Sequence, residues 1–332
     1  MSKLLLLVLT ILVGCSSSND SKINLLGEAQ GTYYSIIYFD NDGRDFQIEI
    51  DSILTEFDNS VSLWVPTSIL SRVNKNDSSI VLDDYFIDNY NISQDVAIKT
   101  NGSFDFTIGK LIKAWGFGID GSINIDTNHI DSLLNLTSYR KVKLDNGKII
   151  KENPGISFDF NAVAQGYSVD VIAEYLESKN IFNYLIDIGG EVKGNGSKPD
   201  ANKWRVGIEK PADNKLDSRD LKAVAELNNS SIATSGNYRK FYEENGIRYS
   251  HTINPKTGFP AKNRLLSVSV LHKSTAYADA YATAFMVMGL EEARLFAESD
   301  NEIEAFFIFS SNEGFETYAT KGFKKIIVEE FE

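Results

Sequence analysis

Two polar clusters in the last third of the chain contain residue types that can bind a metal ion and move a proton. The first covers residues 249–260 and places His251, one of only three histidines, beside the turn-forming sequence Asn-Pro-Lys-Thr-Gly. The second places Asp279 and Thr283 four residues apart in an alanine-rich stretch. Its apolar pattern predicts a helix over residues 275–288. Together the clusters indicate a magnesium-dependent site for a phosphorylated ligand.

The spacing of Asp279 and Thr283 determines what the second cluster can do. Residues four apart share one helical face, with their Cβ atoms about 5–6 Å from each other. A carboxylate and a hydroxyl at that distance can chelate a hard cation, and magnesium prefers such oxygen ligands. Taken alone, an Asp–Thr pair of this kind is more often a solvated or capping pair, and a lone histidine such as His251 is more often structural.

The N-terminus has the pattern of a lipoprotein export signal. Lys3 precedes an apolar run over residues 4–14, which is too short to span a bilayer and has the length of a secretory h-region. The sequence Leu-Val-Gly-Cys ending at Cys15 resembles a bacterial lipobox, whose cysteine becomes the lipidated first residue. An ordinary signal peptide with a chance cysteine, or a buried apolar strand, is the alternative. We therefore expect a signal peptide over residues 1–14, a polar tether over 15–24 and one domain over 25–330.

Composition narrows the choice of partners. The 332-residue chain has a net charge of −13, which argues against nucleic acid because phosphate backbones require a basic footprint. Cys15 is the only cysteine, so the mature domain has no disulfide and depends on its core for stability. No apolar stretch of the sequence reaches transmembrane length, which predicts a soluble body held at the membrane by acyl chains such as palmitate.

Periodicity predicts a mixture of helices and hairpin strands. The strands are expected over residues 32–39, 156–160, 184–188, 204–209, 221–227, 247–253, 265–271, 304–309 and 323–328. The helices are expected over residues 46–57, 83–100, 106–115, 126–136, 162–178, 275–288 and 291–299. This order favours an α+β fold, with two lobes and mixed or antiparallel sheets flanked by helices.

Short polar motifs occur in a fixed order along the chain. They cover residues 29–32 (AQGT), 62–64 (SLW), 102–111 (GSFDFTIGKL), 115–118 (WGFG), 158–170 (FDFNAVAQGYSVD), 187–191 (DIGGE) and 234–238 (TSGNY), followed by the two clusters described above. In this order they closely resemble the FAD:protein FMN transferase family, the ApbE-like flavin transferases. The resemblance covers nearly all of the chain after the tether.

The resemblance implies a bilobed flavin transferase fold and an enzyme. Members of the family use Mg2+ to cleave FAD and attach FMN, through its phosphate, to a Thr or Ser of an acceptor protein, with AMP as the second product. Their acceptors are mostly subunits of membrane-bound or exported redox systems. Many members are lipoproteins that face the periplasm from the inner membrane, which agrees with the lipobox at Cys15.

The resemblance also implies roles for individual residues. Asp279, Thr283 and the backbone carbonyl of Ala162 match the family's magnesium ligands. The positions that match its flavin contacts are Gln30, Trp64, Ser103, Phe104, Asp105, Asp159, Gln165 and Ile253. Gln30, Trp64 and Gln165 differ from the residues that relatives often carry at those positions. Trp115 and Trp204 are expected in the core, because large aromatic side chains are usually buried. His129 and His272 are expected to be structural or surface residues.

The role of His251 is open between two alternatives. An acceptor hydroxyl benefits from a general base, and an unperturbed histidine titrates close to neutral pH. Alternatively, His251 donates a hydrogen bond to a phosphate, and an Asp or water takes the proton.

Two other functions fit the same scaffold. One is an FAD pyrophosphatase that releases FMN and AMP, and the other is a lipid-anchored FAD-binding protein without turnover. The intact pair of Asp279 and Thr283 favours an enzyme over a mere binder. The bulk of Trp64, which could keep water from the phosphate, favours transfer over hydrolysis.

The lipobox generates the first prediction. Cys15→Ser removes the only thiol to which a diacylglycerol can be attached, so the chain is expected to lose its label from radioactive fatty acid and to leave the membrane fraction. Ser16→Ala, next to the lipobox cysteine, is the control and should remain anchored. Membrane association that persists in Cys15→Ser would show that the anchor is a different segment.

Overall fold

The computed structural model describes residues 21–117, 129–211, 220–237, 241–244, 247–250, 252–312 and 314–331. The predictions for Cys15 and for His251 fall outside these ranges. No side chain is described for residues 241–250. Within the described ranges, no helix combines the length and the apolar character needed to cross a bilayer.

Fifteen strands and nine α-helices are described in these ranges. The strands are β1 (Ser21–Ala29), β2 (Thr32–Asp40), β3 (Val142–Asp145), β4 (Lys148–Lys151), β5 (Tyr184–Ile188), β6 (Glu191–Asn195), β7 (Trp204–Glu209), β8 (Leu221–Leu227), β9 (Ser230–Gly236), β10 (Phe241–Glu244), β11 (Ile247–Ser250), β12 (Leu265–His272), β13 (Glu304–Ser311), β14 (Gly314–Ala319) and β15 (Ile327–Glu330). The helices are α1 (Gln47–Val61), α2 (Ile69–Asn74), α3 (Asp84–Lys99), α4 (Gly109–Ala114), α5 (Ile130–Leu134), α6 (Ala164–Ser178), α7 (Thr275–Met288), α8 (Leu290–Ser299) and α9 (Lys321–Lys324).

The largest sheet has eight strands in the order β1-β2-β5-β6-β9-β12-β13-β14. All of its neighbouring strands pair antiparallel. A three-stranded sheet, β15-β8-β7, and two hairpins, β3-β4 and β10-β11, complete the described sheets. Helices and antiparallel sheets in one chain confirm the α+β class that the sequence pattern predicts. β1 begins at Ser21, so residues 21–24, expected in the tether, pair with β2.

Helix α7 lies at the centre of the main core. It contacts β9 and β12 of the large sheet and packs against α3, α6 and α8. Five alanines at alternate positions of this helix, from Ala276 to Ala284, are fully buried. Because alanine has a small side chain and a high helix propensity, α7 can be enclosed on several sides by other elements.

Four predicted elements agree with the structure at both ends, namely β5, β7, β8 and α7. The strand predicted over residues 156–160 is wrong, since only Ser157 forms an isolated bridge, to Ile108. Phe158 and Phe160 are both buried in the core, which explains the apolar pattern without a strand. The strand predicted over residues 323–328 is also wrong at its start, because Phe323 belongs to α9 and β15 begins at Ile327.

Both expected core tryptophans are buried, Trp115 beside α4 and Trp204 on β7, which confirms that prediction. The helix predicted from residue 162 begins at Ala164, after a turn that carries Ala162.

Candidate active site

The site forms where the N-terminus of α6 meets the second turn of α7. Asp279 is buried, and its Oδ2 atom accepts a hydrogen bond of 3.2 Å from the backbone N–H of Gly166. The residue just before α6, Val163, has no polar side chain that could cap the helix. Asp279 therefore caps α6 from another helix and places its negative charge at the positive end of the α6 dipole.

Gly166 allows this contact because it has no side chain. A Cβ atom at this position would lie 2.5 Å from the carbonyl oxygen of Thr275 and 2.8 Å from Cβ of Asp279. Both distances are shorter than van der Waals contact, and the first involves backbone that cannot rotate away. Any larger residue would therefore push α6 and α7 apart.

The predicted metal ligands share a region around this contact. Thr283 is half-buried one turn after Asp279 on α7, and Ala162 lies in the turn just before α6. Within the described part of the chain, neither the Ala162 carbonyl nor the Thr283 hydroxyl takes part in a hydrogen bond. The N–H of Gly166, four residues after Ala162, donates to Asp279 rather than to the Ala162 carbonyl.

These donors fit magnesium. A carboxylate, a hydroxyl and a carbonyl are all hard oxygen ligands, and magnesium is usually held by one or two carboxylates together with water and substrate phosphates. Among the described residues, no group of three or more His, Cys, Asp or Glu side chains could hold a metal ion. The predicted set needs no such group, since Asp279 is its only carboxylate.

Asp159 connects the α6 turn to the loop that follows α3. Its backbone N–H donates to the Phe106 carbonyl at 2.8 Å, and its Oδ1 atom accepts from the Asn161 N–H at 2.9 Å. Burial raises the pKa of Asp159 to about 6, and the hydrogen bond from Asn161 opposes that shift. The carboxyl group can therefore gain or lose a proton close to neutral pH.

Asp105 organises the loop over residues 103–107. One carboxylate oxygen accepts from the N–H of Thr107 at 2.8 Å and from its hydroxyl at 2.7 Å, while the other accepts from the Tyr139 N–H at 2.8 Å. Burial raises the pKa of Asp105, and these hydrogen bonds act in the opposite direction. The carboxylate thus shapes the loop, and Phe104 beside it is buried in the main core.

Lys256 joins this loop to the first polar cluster. Its Nζ atom donates to the hydroxyl of Ser103 at 3.1 Å, and its backbone N–H donates to Oδ1 of Asn254 at 2.9 Å. Ile253, in the same cluster, is only 3% exposed and packs with Leu111 and other apolar residues of α4 and α5. The side chain of Ile253 therefore belongs to the core. The positive charge next to Ser103 is the ammonium group of Lys256.

Gln165 and Gln30 lie on the other side of the α6 N-terminus. Gln165 donates from Nε2 to the Ile188 carbonyl at 2.9 Å and also to the carboxylate of Glu191. Gln30 occupies the turn between β1 and β2, and its Oε1 atom is 3.4 Å from the hydroxyl of Ser168 on α6. Its Nε2 atom is buried and has no partner among the described residues, so both of its N–H donors are unused there.

Trp64 lies on the loop between α1 and α2 and is 59% exposed. Its backbone N–H donates to the Ser62 hydroxyl, which fixes the loop locally. An exposed indole ring of this size can stack on the flat ring system of a ligand. α2, which follows the loop, is tied to the 158–162 segment because Asn74 exchanges hydrogen bonds with the backbone of Phe158.

Direct contacts therefore connect the segments that carry most of the predicted site residues. The structure adds two that the sequence motifs did not single out, Gly166 and Lys256. Lys256 lies inside the first cluster, so the sequence pattern could have identified it as a site residue. Two cavities of about 340 and 470 Å3 are lined by none of the predicted ligand residues.

Comparison with known proteins identifies the family of the chain. The model of the ApbE family matches residues 30–307. The chain is 35% identical over 330 residues to an FAD:protein FMN transferase of Vibrio cholerae serotype O1, covering 96% of each chain. It is 32% identical to the FAD:protein FMN transferase of Haemophilus influenzae, covering 92% of this chain and 91% of the relative.

Solved structures give the same result. The fold matches the flavin transferase ApbE from Vibrio cholerae with a TM-score of 0.83 and 35% identity, over 92% of this chain and 99% of the other. It also matches the apo form of the Pseudomonas stutzeri flavinyl transferase ApbE with a TM-score of 0.83 and 32% identity, over 92% and 97% of the two chains.

The close approach of α6 to α7 generates the second prediction. Gly166→Ala introduces a Cβ atom 2.5 Å from the Thr275 carbonyl oxygen, so the helices must separate. Overpacking of this kind typically costs about 1–3 kcal/mol of unfolding free energy. The measurement is denaturant unfolding of the purified protein. Ser178→Ala, at the exposed end of the same helix, is the control and should change stability by less than about 0.5 kcal/mol. Equal stability of both variants would contradict the contact.

Proposed function

We propose that this chain, which belongs to the ApbE family, is a magnesium-dependent FAD:protein FMN transferase. It attaches FMN, through its phosphate, to a Thr or Ser hydroxyl of an acceptor protein and releases AMP. The observation that carries the proposal is the set of oxygen donors from Asp279, Thr283 and Ala162 around the N-terminus of α6. A helix N-terminus attracts anions, and the oxygen donors suit the cation that accompanies a pyrophosphate.

The reaction is a displacement at phosphorus. The acceptor oxygen forms a bond to the FMN phosphorus, the bond to the bridging pyrophosphate oxygen breaks, and AMP leaves with that oxygen. Bound magnesium would neutralise charge on the pyrophosphate and stabilise the leaving oxygen. Most of the catalysis in such reactions comes from positioning and electrostatics, which the loops and helix ends of this chain supply.

Other residues of this chain are suited to contact the flavin and the phosphates of the ligand. The exposed ring of Trp64 is suited to cover the flavin, and the unpartnered amide of Gln30 is suited to donate to it. Lys256, bonded to Ser103, brings a positive charge to the loop shaped by Asp105. This charge favours an anionic ligand next to that loop.

A base must take the proton of the acceptor hydroxyl. His251 is the proposed base, because an ordinary histidine titrates close to neutral pH. Asp159 is the competing group, since burial raises its pKa to about 6 and it lies in the turn that leads to α6. A base of either kind typically accelerates a reaction by about 100 to 10,000-fold.

We also propose that the protein works outside the cytoplasm. The lipobox at Cys15 supports an anchor in the membrane, with the domain facing the periplasm. The acceptors would then be subunits of membrane-bound or exported redox systems.

The metal ligands generate the third prediction. Thr283→Val removes a hydroxyl but leaves the Asp279 cap on α6. It should therefore lower the affinity for the Mg2+ that FAD cleavage requires, without loss of stability. Asp279→Ala should abolish magnesium-dependent turnover and also cost about 1 kcal/mol, a typical value for a lost helix cap. The assay incubates the protein with FAD, Mg2+ and a candidate acceptor and measures flavin fluorescence on the acceptor in a gel.

Asp42→Ala is the control, because that carboxylate is exposed in the turn after β2. Full activity of the Asp279→Ala protein would contradict the metal assignment. Release of AMP and free FMN without labelled acceptor would show that the chain is a hydrolase. FAD binding without release of AMP would show that it is an FAD-binding protein without turnover.

The base generates the fourth prediction. His251→Ala is expected to slow transfer by about 100 to 10,000-fold while FAD still binds, because a base acts in the transition state rather than in ground-state binding. Flavinylation rate and FAD affinity are measured side by side over a range of pH. The limb of the pH–rate profile near neutral pH should disappear.

Asp159→Asn is measured in parallel. If the neutral limb persists in His251→Ala and disappears in Asp159→Asn, then Asp159 is the base. If FAD affinity collapses in His251→Ala and the rate at saturating FAD is unchanged, His251 is a phosphate ligand.

A further inference from the structure

Asp170 on α6 is a buried carboxylate that none of the steps above uses. It accepts hydrogen bonds from the backbone N–H groups of Thr275 and Ala276, both at 3.0 Å, at the start of α7. The hydroxyl groups of Ser274 and Thr275 donate to it at 2.7 and 3.1 Å. Asp170 therefore caps the N-terminus of α7 from a neighbouring helix.

The two helices cap each other. Gly166 and Asp170 are four residues apart on α6, and Thr275 and Asp279 are four residues apart on α7. Asp279 accepts from the α6 residue Gly166, while Asp170 accepts from the α7 residue Thr275. The four residues form a closed loop of contacts, so a displacement of the α7 N-terminus would also move Asp279 away from α6.

Lys193 compensates the charge of Asp170. Nζ of Lys193 on β6 is 2.8 Å from Oδ1 of Asp170 and also donates to the Lys273 carbonyl at 3.1 Å. Both side chains are largely buried. Lys193 thus ties the start of α7 to the large sheet, and the position of the helix is fixed from two directions.

We propose that Asp170 is a positioning residue for the metal site. By holding the first turn of α7 it sets the position of Asp279 and Thr283 relative to Ala162. This inference rests on the proposed function, since it assumes that those oxygens bind the cation. Residues that orient metal ligands typically change metal affinity by about 10 to 100-fold when they are replaced.

The test compares Asp170→Asn with Asp40→Asn. Asp40 is also buried, pairs with one cation, Arg44, and accepts a backbone N–H, but it lies at the end of β2, away from α7. Both variants remove the ion pair of a buried carboxylate, so both should lose thermal stability. Only Asp170→Asn should require about 10 to 100-fold more Mg2+ for AMP release from FAD.

Two readouts do not depend on turnover. The first is Mn2+ binding by electron paramagnetic resonance in the presence of ADP, which carries the same pyrophosphate; the dissociation constant should rise in Asp170→Asn and stay unchanged in Asp40→Asn. The second is amide hydrogen exchange, which should become faster at the start of α6 as well as at the start of α7. Faster exchange at α6 reports the loss of the contact between Asp279 and Gly166.

Ser274→Ala is a milder variant for the case that Asp170→Asn does not fold. It removes one donor to Asp170, together with the hydroxyl that accepts from the Tyr277 N–H, and should raise the Mn2+ dissociation constant by a smaller factor in the same direction. Unchanged Mn2+ affinity in every folded variant, with stability loss alone, would overturn the proposal. If the unaltered protein binds no Mn2+ with ADP and releases no AMP, the proposed function itself fails. Faster amide hydrogen exchange at the start of α6 in Asp170→Asn would then still support the reciprocal capping of the two helices, independently of the metal role.

Discussion

The contact between α6 and α7 at Gly166 is the constraint on which the site depends. Two helix backbones can approach this closely only where one of them has no side chain, because a Cβ atom would lie 2.5 Å from the Thr275 carbonyl oxygen. The short distance lets the Gly166 N–H reach a carboxylate that belongs to another helix. The proposed metal ligand Asp279 is thereby positioned by backbone geometry, which is stiffer than the rotamer of an exposed side chain.

Burying two carboxylates between helices is unfavourable unless each is paired or hydrogen-bonded. Asp170 meets this requirement with two backbone N–H groups, two hydroxyls and Lys193. The alanines of α7 contribute in a different way, since their small side chains let the helix be enclosed by the core while Thr275, Asp279 and Thr283, four residues apart, lie on one face. The same helix is therefore both the centre of the core and part of the site. Changes in its packing therefore also change the positions of the site residues.

The sequence predicted the parts of this arrangement that depend on local pattern. The alanine-rich apolar pattern predicts α7 at residues 275–288, and the spacing of Asp279 and Thr283 follows from the helix itself. The contact with Gly166 joins residues 113 positions apart, and no periodicity reveals it. The strand predicted over residues 156–160 fails because alternating phenylalanines serve a core that does not involve strand pairing. Similarly, Ile253 and Phe104 match contact positions of the family by sequence, while their side chains are buried among apolar residues.

The net charge of −13 makes the local electrostatics of the site important. An anionic dinucleotide is repelled by the protein as a whole, so binding requires positive potential confined to the site. The described structure supplies it from the N-terminus of α6 and from Lys256 at Ser103, and the oxygen donors around Asp279 suit a divalent cation. The positive potential at the N-terminus of α6 is partly neutralised by Asp279, which caps the helix. A bound cation would offset that carboxylate and restore the attraction of the helix end for phosphate, so the affinity for FAD and for magnesium should be coupled.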